Sequence, residues 1–178
     1  MRKATSRLRQ MLMGSSFVSL DDRSRLILPA RVLPNLRLLS GLAEGEELEV
    51  AVTVSLVDRC IAIYPIPIIE DFVAKLEQAP LDAEVAIRQR MMLRKYFEYQ
   101  EVDKQGRLKL PPVLLELFKL QGEVVLVGAE DHLQLWPKEE GLALLKDEIA
   151  GSSARTNEVL KSDWMQELNK KSPAPLPT

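Results

Sequence analysis

The chain has 178 residues, 46% of them hydrophobic and 28% charged, with a formal net charge of −2. That is enough apolar surface for a packed core, in one domain or two small fused ones, and too much for a disordered tail. No apolar run approaches the roughly 20 residues of a membrane helix, the opening "MRKATSRLRQML" lacks the apolar stretch of a secretory signal, and the single cysteine excludes both an internal disulfide and a cysteine metal cage, so a soluble cytoplasmic protein is expected.

Residues 1–12 are a basic lead. From Ser16, "SFVSL" and "RLILPA" alternate at period two around the polar turn "DDRS", which predicts strand, turn, strand. A short helix and then a hairpin, "ELEVAVTVSLVDRCIAIYP", should follow, with Cys60 a small buried hydrophobe. Two helices come next: "IIEDFVAKLEQ" and, after a break at Pro80, "DAEVAIRQRMMLRKYF" with Asp82 as N-cap. Met91 and Met92 are expected in core or helix-pair contacts, and Arg88, Arg90, Arg94 and Lys95 on the wet face.

The pattern then begins again. "EYQEV", "DKQG" and "RLKLPP" form a second strand, loop and strand; "LPPVLLELFKL" is a short helix with Pro112 in its first turn; "EVVLVGAEDHLQLWP" is a hairpin around "GAED"; and "KEEGLALLKDEIA" is a helix. His132, in that hairpin turn, is expected to be solvated. The extension 150–178 contains an amphipathic candidate, "TNEVLKSDWMQELNKK", with Trp164 as anchor, and a Pro-rich tail.

The two ten-residue stretches "DDRSRLILPA" and "DKQGRLKLPP" start 82 positions apart, at Asp21 and Asp103, and share Asp, Arg, Leu, Leu and Pro at one spacing. Each half therefore runs strand, polar loop, strand, short helix, hairpin, long helix. The first carries about ten extra residues, expected in "LLSGLAEGEE". One such half has too thin an apolar face to stand alone. Two halves sharing one small barrel about a pseudo-twofold axis would stand, and the boundaries follow: 13–79 for the first repeat with its helix, 80–149 for the linking helix and second repeat.

Charge is segregated along the chain. Residues 1–31 hold seven bases against two acids, and residues 88–109 seven against three, while the acids gather in "EGEELE" and around 130–148. Both basic segments contain the repeated motif, which favours a binding surface over two unrelated solvated faces.

These residues carry a resemblance. "MGSSFVSLDDRSRLILPA", "CIAIYP", "YQEVDKQGRLKLPP" and "VVLVGAEDHLQLWP" resemble the MraZ family, within the wider AbrB/MazE-like group of swapped-hairpin DNA-binding proteins, over about Met13 to Ile149. The resemblance implies an α+β fold, a duplicated swapped-hairpin β-barrel with short and long helices. It also implies a ring homo-oligomer, a nucleoid-associated location, and regulation of the bacterial division and cell wall gene cluster by binding short promoter repeats in double-stranded DNA. Ser24 stands where the family loop has Gly.

On this view Asp21, Asp103 and Gly106 shape the loops, and Arg25 and Arg107 reach the ligand, because a guanidinium fork can take guanine O6 and N7, or a phosphate, in bidentate fashion. Arg23, Lys104 and Lys109 would contact phosphates and set position. The plainer alternative is an Asp–Arg ion pair across a tight turn, and the two can coexist. Ser24 leaves its loop either strained or differently shaped. A second functional class is an antitoxin-like or scaffold module that holds a protein through the C-terminal extension. No nucleophile–base pair or metal constellation can be assembled from the spacings, so no catalytic residue, metal, cofactor, small-molecule substrate or membrane partner is expected.

Overall fold

The computed structural model describes residues 11–43, 45–55, 57–78 and 84–160. Most of the basic lead, the break at Pro80, the cap assigned to Asp82, and Trp164 with the tail beyond Leu160 lie outside the described residues.

The elements run β1 (Ser15–Ser19), β2 (Arg25–Ile27), α1 (Leu33–Leu39), β3 (Leu48–Val54), β4 (Ile61–Pro65), α2 (Ile66–Gln78), α3 (Glu84–Tyr96), β5 (Glu98–Val102), β6 (Arg107–Lys109), α4 (Pro112–Leu117), β7 (Glu123–Gly128), β8 (Leu133–Pro137) and α5 (Lys138–Leu160). The chain divides into two compact units, one ending at Gly141 and the other beginning at Leu142. The first holds every described strand and α1–α4; the described part of the second is the remainder of α5.

Eight strands form one antiparallel sheet in the order β1-β7-β8-β4-β3-β5-β6-β2. A bridge between Leu20 and Leu26 ties its two outer strands, so the sheet nearly closes on itself as a barrel. Period-two alternation fills the interior: Leu26, Val50, Val52, Ile61, Ile63, Leu108, Val124, Leu126, Leu133 and Leu135 are all buried in one cluster with Leu28, Leu110 and the helix residues Leu36 and Leu114. Each such side chain contributes on the order of 1.5–3 kcal/mol by leaving water.

The hairpins are swapped between halves. β1 pairs with β7, β2 with β6, β3 with β5 and β4 with β8, so four of the pairings join a strand of the first half to one of the second. Leu26 lies opposite Leu108, its counterpart 82 residues on, and Ala62 lies opposite Gln134. These two self-paired positions mark where the pseudo-twofold axis passes, and they confirm the duplicated swapped-hairpin barrel.

β3, "LEVAVTV", is buried on both faces, which is why it reads as a nearly unbroken apolar run. Its outer side chain Ala51 packs with Ile69 and Leu76 of α2 and Ala86 and Leu93 of α3. Across the barrel Val125 and Trp136 take the start of α5, where a Cβ on Gly141 would lie 2.8 Å from Val125 Cβ and 2.9 Å from Trp136 Cβ. Only glycine lets that first turn sit so close.

Two expectations are corrected. Met91 and Met92 are exposed, because the 3.6-residue period puts Ala86 and Leu93, not the methionines, against β3. And α5 does not stop near Ala150 but continues through "GSSARTNEVL" to Leu160. The extra length of the first half lies mainly in and around the expected stretch: the 82-residue spacing holds as far as Val32 and Leu114, whose amides bond to Pro29 O and Pro111 O, and the halves then differ in the length of α1, in residues 40–47 against 118–122, and in the turns 55–60 against 129–132. Among the described residues no helix is long and apolar enough to cross a membrane.

Candidate nucleic-acid interface

The two loops joining β1 to β2 and β5 to β6 have one construction. Asp21 Oδ1 accepts hydrogen bonds from the amides of Arg23 and Arg25, both 2.9 Å, and Oδ2 accepts from Arg25 Nε at 2.7 Å. Asp103 repeats this with the amides of Gln105 (2.8 Å) and Arg107 (2.9 Å) and with Arg107 Nε (2.6 Å). Backbone bonds close each turn, from Ser24 N to Asp21 O at 3.0 Å and from Gly106 N to Asp103 O at 2.8 Å.

Both turns need a left-handed residue at the fourth position. Ser24 has φ 59° and Gly106 φ 75°, so the first loop keeps the shape of the second and carries backbone strain in doing so. The reason lies across the barrel. Ser24 O accepts the Leu110 amide at 3.0 Å and Gly106 O accepts the Leu28 amide at 2.9 Å, so each loop finishes the ladder of the opposite half.

The Asp–Arg pairs are therefore present, and they set where the guanidinium groups lie. Arg25 adds a second contact, Nη2 to Asp21 Oδ2 at 2.7 Å. Arg25 keeps 28% of its side chain exposed and Arg107 31%. Among the described residues Arg25 Nη1 and both Nη atoms of Arg107 have no hydrogen-bond partner, so each fork keeps free donors. The Arg25 side-chain hydrogen bond, helped by the loop amides, holds the Asp21 carboxyl down at about 2 against an ordinary 3.8. Asp103 is lowered too, chiefly by the Arg107 amide and then by its side chain.

Leu26 and Leu108 point inward, so Arg25, Ile27, Arg107 and Lys109 all project from the outer face of the β2–β6 ribbon. Arg25 lies opposite Lys109 and Ile27 opposite Arg107. The two arginines are thus diagonal neighbours, about 7–8 Å apart by strand geometry. Arg23 and Lys104 are exposed on the flanking loops. The structure brings all five predicted cations, with Asp21, Asp103 and Gly106, to one ribbon and its two ends.

The halves are not equal in charge. Position for position, Lys104 of the second loop answers Asp22 of the first, and Lys109 answers Ile27. Ile27 is a functional candidate beyond the predicted set, and its signal is in the sequence: the 82-residue spacing and the alternation L-I-L against L-K-L already place it beside the arginines.

Other candidates lie elsewhere. His132 is not solvated: its ring stacks on Tyr64 with centroids 4.5 Å apart, its Nδ1 meets Asp131 Oδ1 at 2.7 Å, and its side chain is 16% exposed. Burial pushes the Tyr64 hydroxyl up to about 12 and the Cys60 thiol likewise to about 12, so neither ionises near neutrality. Arg90 is half-buried against the end of α2, with Nη1 3.4 Å from Glu77 O, whereas Arg88, Arg94 and Lys95 are on the wet face. Arg31 is committed to Met13 O and Ser16 Oγ, both at 2.6 Å.

The chain as a whole is similar to known proteins. Residues 92–158 match the family model described as "MraZ protein, putative antitoxin-like". The chain is 31% identical over 159 residues to the transcriptional regulator MraZ of Marinomonas sp. (strain MWYL1), covering 89% of this chain and 99% of that protein. It is 33% identical over 141 residues to the protein of the same name from Pseudomonas aeruginosa (strain LESB58), covering 79% of this chain and 89% of the relative. The corresponding protein of Klebsiella pneumoniae (strain 342) is 31% identical over 163 residues, with 89% and 99% covered.

Proposed function

The chain belongs to the MraZ family, and we propose that it is a sequence-specific DNA-binding regulator of transcription, not an enzyme. On this reading it acts in the cytoplasm at the nucleoid, on the division and cell wall gene cluster. A ring homo-oligomer presents the two DxxxR loops of each protomer to short promoter repeats in double-stranded DNA. Arg25 and Arg107 read base edges or clamp phosphates, and Arg23, Lys104 and Lys109 contact phosphates.

The observation that carries this reading is the ribbon itself. Two arginines with free donors, preset by Asp21 and Asp103, stand diagonally on one outward face, with Lys109 opposite Arg25. A fork held in place by a carboxylate loses little freedom on binding, which favours bidentate recognition over a loose charge contact. One protomer offers few such groups, and non-specific affinity at physiological salt is only about 10⁻⁴–10⁻⁶ M. Multiplying the ribbon in a ring answers that weakness, with gains of about 10²–10⁴.

The test is titration of a duplex from the DNA upstream of the protein's own coding sequence. Binding should weaken steeply with salt, and Arg25→Ala and Arg107→Ala should each cost about 1–3 kcal/mol and relax base preference. A double arginine variant that binds as well as the parent would end the proposal. Salt-insensitive DNA binding, together with a protein complex lost on deleting residues 150–178, would favour the antitoxin-like reading instead.

A further inference from the structure

Ile27 stands out on the ribbon. It is 54% exposed, directly opposite Arg107 and two residues along from Arg25, at the position that Lys109 fills in the other half. It cannot turn away. Its neighbours Leu26 and Leu28 are buried in the barrel, and the Leu28 amide is bonded to Gly106 O, so the strand's alternation holds Ile27 outward.

An isoleucine there leaves more than half of its surface to water in the free chain. The flanking guanidinium groups want solvent or an anion, and the branched alkyl group is rewarded only when an apolar surface arrives with the charge those groups attract. Duplex DNA offers that combination. Its backbone is anionic, and the apolar groups on its major-groove floor are the thymine C5-methyls. A ribbon two strands wide is an element the groove admits. A second copy of the basic face would bring like charge instead.

We propose that Ile27 is a base-reading residue that packs on thymine C5-methyl groups, so that the first loop discriminates bases while its twin position, Lys109, supplies charge. This rests on the DNA-binding reading above. It deepens that reading by making two equivalent positions chemically unequal: the Ile27 position favours a thymine and the Lys109 position a phosphate.

The experiment uses the full chain and the upstream duplex in two forms, with thymine and with deoxyuridine, which pairs identically and lacks only the methyl. The parent protein should prefer the thymine duplex about fourfold per methyl contact, the equivalent of about 0.8 kcal/mol for one methyl-sized group buried. Ile27→Ala should bind both forms equally, with its salt dependence unchanged. Ile27→Lys should also lose the preference, while its salt slope steepens by about one unit. Equal binding of the two duplexes by the parent, or a preference that survives in Ile27→Ala, overturns the assignment while leaving the DNA-binding reading intact. No binding of either duplex by the parent overturns both. The nucleotide substitution leaves the protein untouched, so a folding defect in a variant cannot mask the outcome.

Discussion

Ser24 and Gly106 do the same job with different side chains. Both sit at positive φ because both loops must aim a carbonyl at the opposite half, and only one of them does so without strain. Relief of a left-handed Ser is worth about 1–2 kcal/mol, against about 0.4–1 kcal/mol of extra unfolded-chain freedom for Gly. Ser24→Gly should therefore raise stability by roughly 0.5–1 kcal/mol, read as a higher denaturant midpoint at unchanged slope. An unaltered or lower midpoint would mean that the strain is relieved elsewhere. The loop carboxylates give a second expectation. Asp21 titrates in the folded chain at about 2 against 3.8, so its contribution is present above about pH 4 and is lost as pH falls toward 2. The parent should lose more stability than Asp21→Asn between about pH 5 and pH 2.5, followed by chemical denaturation at each pH. Parallel losses would show that the pair does not bear on acid stability.

At the scale of the element, the β2–β6 ribbon is only three residues per strand, too short to hold itself together. Its position depends on Leu26 and Leu108 beneath it, which meet at the pseudo-axis with no exposed surface. Leu108→Ala should cost about 2–5 kcal/mol, because the surrounding strands cannot collapse into the space left. Combined with Leu26→Ala the loss should be non-additive, since the two side chains share one void. Additive losses in a double-mutant cycle would mean that the two positions relax independently. Part of this was readable beforehand: L-I-L and L-K-L announce alternating strands, and the Pro after each marks its end. The cross-half pairing was not, because period two says which face a residue takes and nothing about which strand lies beside it.

For the barrel as a whole, the swap means that neither half owns its core. A chain ending at Gln78 keeps the β3–β4 pairing and the Leu20–Leu26 bridge, and leaves β1, β2, and one edge each of β3 and β4 unpaired. Such a half should show no cooperative unfolding at low concentration and should gain structure only on mixing with the second half or by pairing with its own copy. Circular dichroism across a concentration series checks this, and a first half that unfolds cooperatively as a monomer would contradict the shared core.

What the sequence by itself determined was the repeat: two Asp–Arg loops 82 residues apart, the strands that flank them, the helices between, and the family to which those motifs point. These are local or periodic properties, set by turn chemistry and by which face of a strand is apolar. Tertiary structure alone decided that Ser24 must adopt the glycine conformation, that Arg107 lies across from Ile27, that His132 stacks on Tyr64, and that Met91 and Met92 face outward. Each of these follows from a partner distant in sequence, and a pattern read along one strand carries no record of what the neighbouring strand brings to it.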